Sequence, residues 1–185
     1  MRRLSGLPAR RHESSSMIVR HDLTQTRAAE FSQCRLYRYR LRYCFNGSVL
    51  DEPKNPVVFL MLNPSTATEL EPDPTVRRCM GFASAWGHSD LIVANLFALR
   101  STDPEELLRT EDPIGPENDA VLASIPNEVP IVCAWGNHKA IRDRARAVVA
   151  MLDRPLFCLK ANGDGSPAHP LYLKKELQPV PWSLL

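Results

Sequence analysis

Four polar segments of the chain carry residue types that can orient water and hold the edge of a flat ligand. An asparagine amide offers both a hydrogen-bond donor and an acceptor, and a histidine can exchange a proton near neutral pH. Each segment follows or ends an apolar run. The segments are Asn63-Pro64-Ser65, Asn95, Trp135-Gly136-Asn137-His138 and 162–170, which includes His169-Pro170. Together they could bind a polar substrate and stabilise charge as one of its bonds breaks.

The apolar runs have the length of strands and alternate with helical patterns. Uninterrupted apolar runs indicate strands that are covered on both faces. The predicted strands are 56–62, 91–96, 130–134 and 155–159. Asp73-Pro74 predicts the start of a helix that Gly87 ends, and further helices are predicted near Asp103, from Pro116 and over 138–152. This alternation predicts an α/β fold, a three-layer α/β/α sandwich around a four-stranded, mainly parallel sheet.

A parallel sheet would bring the four polar segments together. Ligands of such folds bind outside the carboxyl ends of the strands. All four segments lie at or after the end of a predicted strand. We therefore expect them to converge at one edge of the sheet and to line one site.

Basic charge is concentrated in the first quarter of the chain. The formal net charge is +2, but residues 1–50 contain ten Lys/Arg and three Asp/Glu. Segment 34–49 alternates aromatic or aliphatic residues with arginine and contains Asn46-Gly47, which predicts a basic β-hairpin with its arginines on one face. We expect residues 1–33 to form a basic arm, partly disordered or helical, and residues 34–185 to form a single α/β domain.

Composition excludes several classes of protein. A chain of 185 residues with 44% hydrophobic and 24% charged residues suits one globular domain, and no apolar run approaches the ~20 residues of a membrane span. Five cysteines without a CxxC pair argue against a disulfide framework and against a zinc or iron–sulfur site. Neither a glycine-rich phosphate loop nor a GxSxG elbow is present. We expect a cytoplasmic monomer that needs no metal or cofactor.

The order of the polar segments resembles that of the uracil-DNA glycosylase superfamily. Its members carry GQDPYH or GINPG after the first strand, an LLLN strand, an LLWG strand leading into a helix, and HPSPLS or NPSGLS near the end. The resemblance spans residues 56–175, at Asn63-Pro64-Ser65, Asn95, Trp135-Gly136 and His169-Pro170. The chain is also similar to an uncharacterised bacterial domain family with an NPS…HPLYL signature. The first resemblance implies a DNA-repair hydrolase that flips a uracil-type or modified base and cleaves its N-glycosidic bond.

The resemblance implies a role for each matched residue. Asn63 would position the attacking water, Asn95 would read the Watson–Crick edge of the base, and His169 would stabilise the departing base. Pro64, Ser65, Trp135 and Gly136 would complete the pocket, which Ser65 leaves open to a 5-substituted base. Leu173 would fill the base stack as a wedge. The remaining residues expected to contact duplex or single-stranded DNA are Arg38, Arg40, Arg42, His138 and Lys139.

The chain also departs from that family. Met61 stands where the family has a glycine, and Leu171 replaces a serine that can donate to a phosphate. Asp73 could act as a base, although an Asp-Pro pair has a sufficient structural role as a helix cap. Two other functions fit the same residues. One is an enzyme that acts on a nucleoside, a nucleotide or an RNA base, and the other is a non-catalytic nucleic-acid-binding module.

Overall fold

The computed structural model of the protein describes residues 17–65, 70–138 and 141–184. The strands are β1 (Ile18–His21), β2 (Arg27–Phe31), β3 (Arg38–Cys44), β4 (Pro56–Met61), β5 (Asp90–Asn95), β6 (Ile131–Cys133), β7 (Leu156–Cys158) and β8 (Val180–Trp182). The helices are α1 (Pro74–Ala85), α2 (Glu106–Arg109), α3 (Asn118–Ala123) and α4 (Ile141–Leu152), followed by a 3-10 turn at Pro170–Tyr172. The strands form one mixed sheet in the order β1-β2-β3-β5-β4-β6-β7-β8.

The prediction of a four-stranded, mainly parallel sheet is wrong, although the general α/β class is confirmed. The four predicted strands are β5, β4, β6 and β7, which pair in parallel in the middle of the sheet. Strands β1 to β3 extend it on one side and β8 on the other, through antiparallel pairings. Strands β1, β2 and β8 are short and half exposed, so they lack the continuous apolar run on which the prediction depended.

The sheet begins at Ile18, within the segment expected to be a basic arm. Strands β1 and β2 are joined by a turn in which the Asp22 carboxylate accepts hydrogen bonds from the backbone N–H groups of Thr26 and Arg27, both at 2.9 Å. Such a side-chain cap stabilises a tight turn. Residues 1–16, the rest of the predicted arm, lie outside the described residues. The expected hairpin over 34–49 is also corrected, because β3 is a single strand that pairs with β2 and β5.

Buried side chains cover both faces of the central sheet. Along β4, Val57, Phe59 and Met61 pack on the side of α1, whereas Val58 and Leu60 pack on the opposite side, against α4. This alternation follows from the two-residue period of a strand. No helix in the described part of the chain is long and apolar enough to cross a membrane.

A β-bulge in β3 reverses the direction of one arginine. Glu30 pairs with Arg40, but the next residue, Phe31, pairs with Arg38, so Tyr39 is an extra residue in β3. A bulge of this kind re-aims the side chains beyond it. Arg38 therefore lies on the α1 side of the sheet, whereas Arg40 reaches Ser124 beyond α3 on the other side. The expectation that the arginines of this segment share one face is wrong for this reason.

Candidate functional site

A cavity of about 280 Å³ lies at the carboxyl ends of the central parallel strands. Residues from all four polar segments of the sequence line it, although the segments are far apart in the chain. The predicted site residues among them are Asn63, Ser65, Asn95, Trp135 and His169. Arg38 from β3 and Asp73 at the start of α1 complete its polar wall.

Asn63 follows the end of β4 and is held with its amide nitrogen against the backbone. Its Nδ2 donates to the carbonyl oxygens of Ser101, at 2.9 Å, and Pro64, at 3.1 Å. The N–H of Ser101 also donates to the Pro64 carbonyl at 2.9 Å, which ties the two loops together. Since both donors are used, Oδ1 is the atom with which Asn63 can accept a hydrogen bond in the cavity.

Asn95 is the last residue of β5 and is almost completely buried, with 1% of its surface exposed. Its Nδ2 has no hydrogen-bond partner among the described residues. A buried polar group without a partner costs about 1–3 kcal/mol, so it calls for a functional explanation. Because Asn95 lines the cavity, its amide is placed to donate to a bound ligand.

His169 lies just before the 3-10 turn, and its ring is oriented by that turn. Nδ1 accepts a hydrogen bond from the backbone N–H of Leu171 at 3.4 Å. Burial lowers the pKa of His169, and the negative charge of Asp73 opposes this effect in part. The ring is therefore neutral at pH 7, with its proton on Nε2. In this form Nε2–H is available as a donor, and His169 lines the cavity.

Two opposite charges face the same cavity. Arg38 is 2% exposed, and burial lowers its pKa to about 10, so the guanidinium stays protonated at neutral pH. The nearby Asp73 raises that pKa in part, as expected for a carboxylate that favours the charged form of Arg38. Asp73 also caps α1, because its Oδ1 accepts a hydrogen bond from the Val76 N–H at 2.8 Å.

An outer groove of about 410 Å³ adjoins the cavity, because Ser65, Ser101 and Thr102 line both. Its other lining residues are Arg35, Leu36 and Arg100. A second groove, of about 670 Å³, lies beside α4 and shares Trp135 with the cavity. The Trp135 ring packs edge-to-face on Trp182 of β8, with 5.4 Å between the ring centroids.

Other residues predicted for the site lie around the cavity rather than in its wall. Pro64 is buried, and its backbone carbonyl is the part that contacts Asn63. Gly136 has a φ of +79°, and its N–H donates to the Pro167 carbonyl at 2.9 Å, which holds the segment before His169 in place. His138 lines the groove beside α4, with Nε2 3.4 Å from Glu105 Oε1. Lys139 lies outside the described residues.

The described arginines predicted to contact DNA, Arg38, Arg40 and Arg42, do not form one basic surface. Arg38 faces the cavity, Arg40 pairs with Glu30 at 3.2 Å, and Arg42 pairs with the buried Asp90 at 2.8 Å. Leu173, the predicted wedge, is partly buried and packs against the core on the α1 side. The aromatic residue next to it in this loop, Tyr172, is instead 91% exposed.

Sequence reasoning missed several residues of the site. Arg100, Ser101 and Thr102 follow β5, and the rule that pointed to Asn95 could have found them, since they are polar residues after the carboxyl end of a strand. For Asp73, the sequence predicts mainly a structural role as a helix cap. The position of Arg38 had no sequence signal, because it depends on the bulge at Tyr39.

Fold and cavity together define an α/β protein with a cavity at the carboxyl ends of parallel strands, the place where such folds bind ligands. Residues 38–171 match the model of the family described as "Protein of unknown function (DUF1643)", and the chain belongs to that family. The match extends from Arg38 past His169 and so contains every residue named in the cavity wall. Comparisons with curated proteins and with solved structures found no match. No finding links the family to the uracil-DNA glycosylase superfamily, and that resemblance stays a hypothesis.

Among the described residues, no group of three His, Cys, Asp or Glu side chains could hold a metal ion. The chemistry that these residues offer is that of hydrogen bonds and fixed charges: an amide acceptor, an amide donor, a neutral imidazole donor, a guanidinium and a carboxylate. Such a set can bind a flat polar group and stabilise charge that develops on it.

Proposed function

We propose that the protein hydrolyses the N-glycosidic bond of a substrate whose nucleobase binds in the cavity. The observation that carries this proposal is the buried, unpartnered Nδ2 of Asn95, in one cavity with Asn63 and the neutral His169. Nucleobases carry carbonyl oxygens and ring nitrogens that accept hydrogen bonds, so a base would satisfy this donor. A ligand without an acceptor at this position would leave the Asn95 amide unpaired in the complex. The site would therefore select a base that carries such an acceptor.

The reaction needs little covalent assistance from the protein. In hydrolysis, the oxygen of water bonds to the anomeric carbon while the C–N bond breaks. The electron pair of the C–N bond leaves with the base. The sugar carries positive charge and the base carries negative charge in the transition state, so fixed groups of opposite sign accelerate the step. The base leaves with a proton in place of the sugar, and the water supplies that proton overall.

Three residues have the right chemistry for these roles. Asn63 Oδ1 would accept a hydrogen bond from the attacking water and so orient it. His169 Nε2–H would donate to the departing base. The Asp73 carboxylate would stabilise the positive sugar and receive the proton of the water, since only one of its oxygens is used by the cap of α1.

A free nucleoside or nucleotide fits the structure better than duplex DNA as the carrier of the base. The cavity volume of about 280 Å³ suits one small ligand. Arg40 and Arg42, expected to bind DNA phosphates, already pair with Glu30 and Asp90. A duplex would therefore have to be bound by other residues.

A base held in a DNA strand, as in DNA repair, is the second candidate. One observation favours it: Tyr172 is 91% exposed three residues after His169, and an exposed aromatic ring can stack on an unpaired base. Arg142 and Arg146 of α4 line the neighbouring groove and could contact a phosphate backbone.

We also propose that the protein acts as a monomer in the cytoplasm. The five cysteines are free thiols, which suits a reducing compartment.

The test is a base-release assay on three classes of substrate. Free nucleosides and nucleoside monophosphates, single-stranded oligonucleotides and duplexes would carry uracil, hydroxymethyluracil, hypoxanthine or, in the duplex, mismatched thymine, and released base would be measured by chromatography. We expect base release by the wild type and a loss of about 100-fold in Asn63→Ala and in His169→Ala. The matched controls are the exposed Asn127→Ala and His21→Ala, which should behave as the wild type.

Each outcome decides between the candidates. Release from free nucleosides or nucleotides alone supports the first candidate, and release from oligonucleotides alone supports the second. The absence of released base from every substrate, or full activity in both Asn63→Ala and His169→Ala, would contradict the proposal.

A further inference from the structure

We infer that the outer groove binds a phosphate group, so that the substrate is a nucleoside monophosphate rather than a nucleoside. This inference rests on the proposed function, because it assumes that the base occupies the inner cavity. Two arginines, Arg35 and Arg100, and three residues with hydroxyl side chains line the groove, and none of its lining residues in the described part of the chain is acidic.

Arg100 is held at the groove by contacts that leave donors available. Its guanidinium lies over the ring of Phe31, 5.2 Å from the centroid, and one terminal nitrogen donates to the Arg35 carbonyl at 3.1 Å. Its Nε is buried and has no hydrogen-bond partner among the described residues. A guanidinium presents its donors in a fixed fork that matches two oxygens of a phosphate. Arg100 is thus positioned in advance for such an anion.

Arg35 is presented by the loop between β2 and β3. Its φ of +57° is uncommon for a residue other than glycine, and its N–H donates to the Ser32 carbonyl at 3.0 Å. This turn brings Arg35 to the groove, and the Arg35 backbone in turn holds Arg100. The two cations are therefore parts of one local structure.

The groove and the cavity together have the arrangement that a nucleotide requires. Ser65, Ser101 and Thr102 line both, so a ligand can extend from one into the other without leaving the surface of the protein. The hydroxyls of Ser65 and Thr102 could donate to phosphate oxygens, whereas that of Ser101 already donates to the Asp103 carbonyl. Buried Arg38 lines the cavity, and its pKa is lowered by burial and further by the nearby charge of Arg100, so it adds positive potential close to the groove.

The charges of the groove favour a phosphate monoester over a carboxylate or a diester. It carries close to two negative charges at neutral pH, which matches the two guanidinium groups of the groove. A diester in a DNA strand carries one negative charge and would extend beyond the groove on both sides. We therefore assign the groove to a terminal phosphate.

The experiment measures binding rather than catalysis. Isothermal titration would compare uridine with uridine 5′-monophosphate, and inosine with inosine 5′-monophosphate, on the wild type, Arg35→Gln, Arg100→Gln and Arg100→Lys. We expect each monophosphate to bind the wild type about tenfold or more tightly than its nucleoside, as charge-assisted hydrogen bonds allow. In both Gln variants this preference should fall at least about fivefold while the affinity for the nucleoside stays the same. Arg100→Lys should retain part of it.

The matched control is Lys54→Gln. Lys54 is exposed and precedes β4, at the end of the parallel sheet opposite to the site. Lys54→Gln therefore removes the same net charge at a distance from the groove. It should leave the preference for the monophosphate unchanged. Arg35 is exposed, and Arg35→Gln therefore keeps the test valid if Arg100→Gln fails to fold, which circular dichroism would show.

Equal affinities for nucleoside and monophosphate in the wild type would overturn the inference. So would a preference for the monophosphate that persists in both Gln variants. A preference that is lost equally in Lys54→Gln would also overturn it. Binding of a single-stranded oligonucleotide that weakens in the Gln variants, without binding of either monophosphate, would also overturn it and assign the groove to a phosphodiester. Monophosphate binding that depends on Arg35 and Arg100, without release of base from any substrate, would contradict the proposed function and leave the phosphate site standing.

Discussion

At the scale of single residues, the cavity contains side chains whose interactions are incomplete in the folded protein. Asn95 buries an amide nitrogen without a partner. The buried Asn118 of α3, by contrast, donates through its amide nitrogen to two backbone carbonyls. A protein selected only for stability would place an apolar residue at position 95, since the unsatisfied donor costs free energy. A bound base, as proposed above, would supply the missing acceptor.

This contrast predicts opposite effects of two similar substitutions. Asn95→Leu should leave the free energy of unfolding unchanged or raise it by about 1–3 kcal/mol, because it removes a buried, unpaired donor. Asn118→Leu should lower it, because the Asn95 carbonyl loses the Nδ2 donor of Asn118, whereas the Leu96 carbonyl still accepts from Arg144 Nε–H at 2.8 Å. Urea unfolding of both variants measures the difference. A loss of stability in Asn95→Leu as large as that in Asn118→Leu would show that Asn95 has a structural role instead.

His169 predicts a pH dependence whose sign follows from its environment. Burial lowers its pKa in the folded protein below the ordinary value of 6.5. As the pH falls through 6.5 toward the folded pKa, the unfolded chain takes up a proton that the folded chain does not, so this residue's contribution to stability is lost. Above pH 6.5 the contribution is fully present.

The measurement is the free energy of unfolding of the wild type and of His169→Gln from pH 7.5 to pH 5. The wild type should lose more stability over this range, whereas His21→Gln, which changes an exposed histidine, should follow the wild type. Identical slopes for the wild type and His169→Gln would mean that the folded pKa of His169 is not lowered.

At the scale of secondary structure, the elements that position the site also contribute residues to it. Asp73 begins α1 by accepting the Val76 N–H at 2.8 Å, and the same carboxylate lines the cavity. Similarly, the bulge in β3 changes the direction of Arg38 and so places a buried cation in the cavity wall. Local structure and site chemistry are therefore coupled at both positions.

Two substitutions of Asp73 separate its two roles. Both Asp73→Ser and Asp73→Ala remove the carboxylate beside the buried Arg38, but only Asp73→Ser keeps an N-cap, so the free energy of unfolding of Asp73→Ala should be lower than that of Asp73→Ser by about 0.5–2 kcal/mol. Both remove the carboxylate from the cavity, so both should reduce base release by a similar factor. Urea unfolding and the base-release assay measure the two effects. Full activity in Asp73→Ser would restrict Asp73 to the cap of α1.

The central strands and the candidate site could be predicted from sequence, but the edges of the sheet could not. Strand β4 is buried on both faces and therefore has a continuous apolar run, and Asp73-Pro74 starts α1 by a local rule. Strands β1 and β8 are mostly exposed, and their pairing depends on partners distant in the chain. The position of Arg38 depends on a register shift between two strands, which no local pattern records.

At the scale of the whole molecule, the two edges of the sheet differ in their relation to the site. Strand β1 is largely exposed and pairs with β2, and four strands separate β1 from β6 in the order of the sheet. Strand β8 instead carries Trp182, which packs on Trp135 in the cavity wall and donates through Nε1 to the Gly165 carbonyl at 3.0 Å. Although β8 lies outside the matched family segment, it supports a wall of the cavity.

This difference predicts unequal effects of substitutions at the two edges. Trp182→Ala should lower the free energy of unfolding by about 2–4 kcal/mol, because a large ring leaves a packed contact and the Gly165 carbonyl loses its donor. It should also weaken binding of the base, because Trp135 loses the ring that holds it. Val19→Ala in β1 should change stability by less than about 0.5 kcal/mol and leave binding unchanged. Urea unfolding and titration with a nucleoside measure both effects, and unchanged nucleoside affinity in a destabilised Trp182→Ala would show that β8 stabilises the sheet without shaping the cavity.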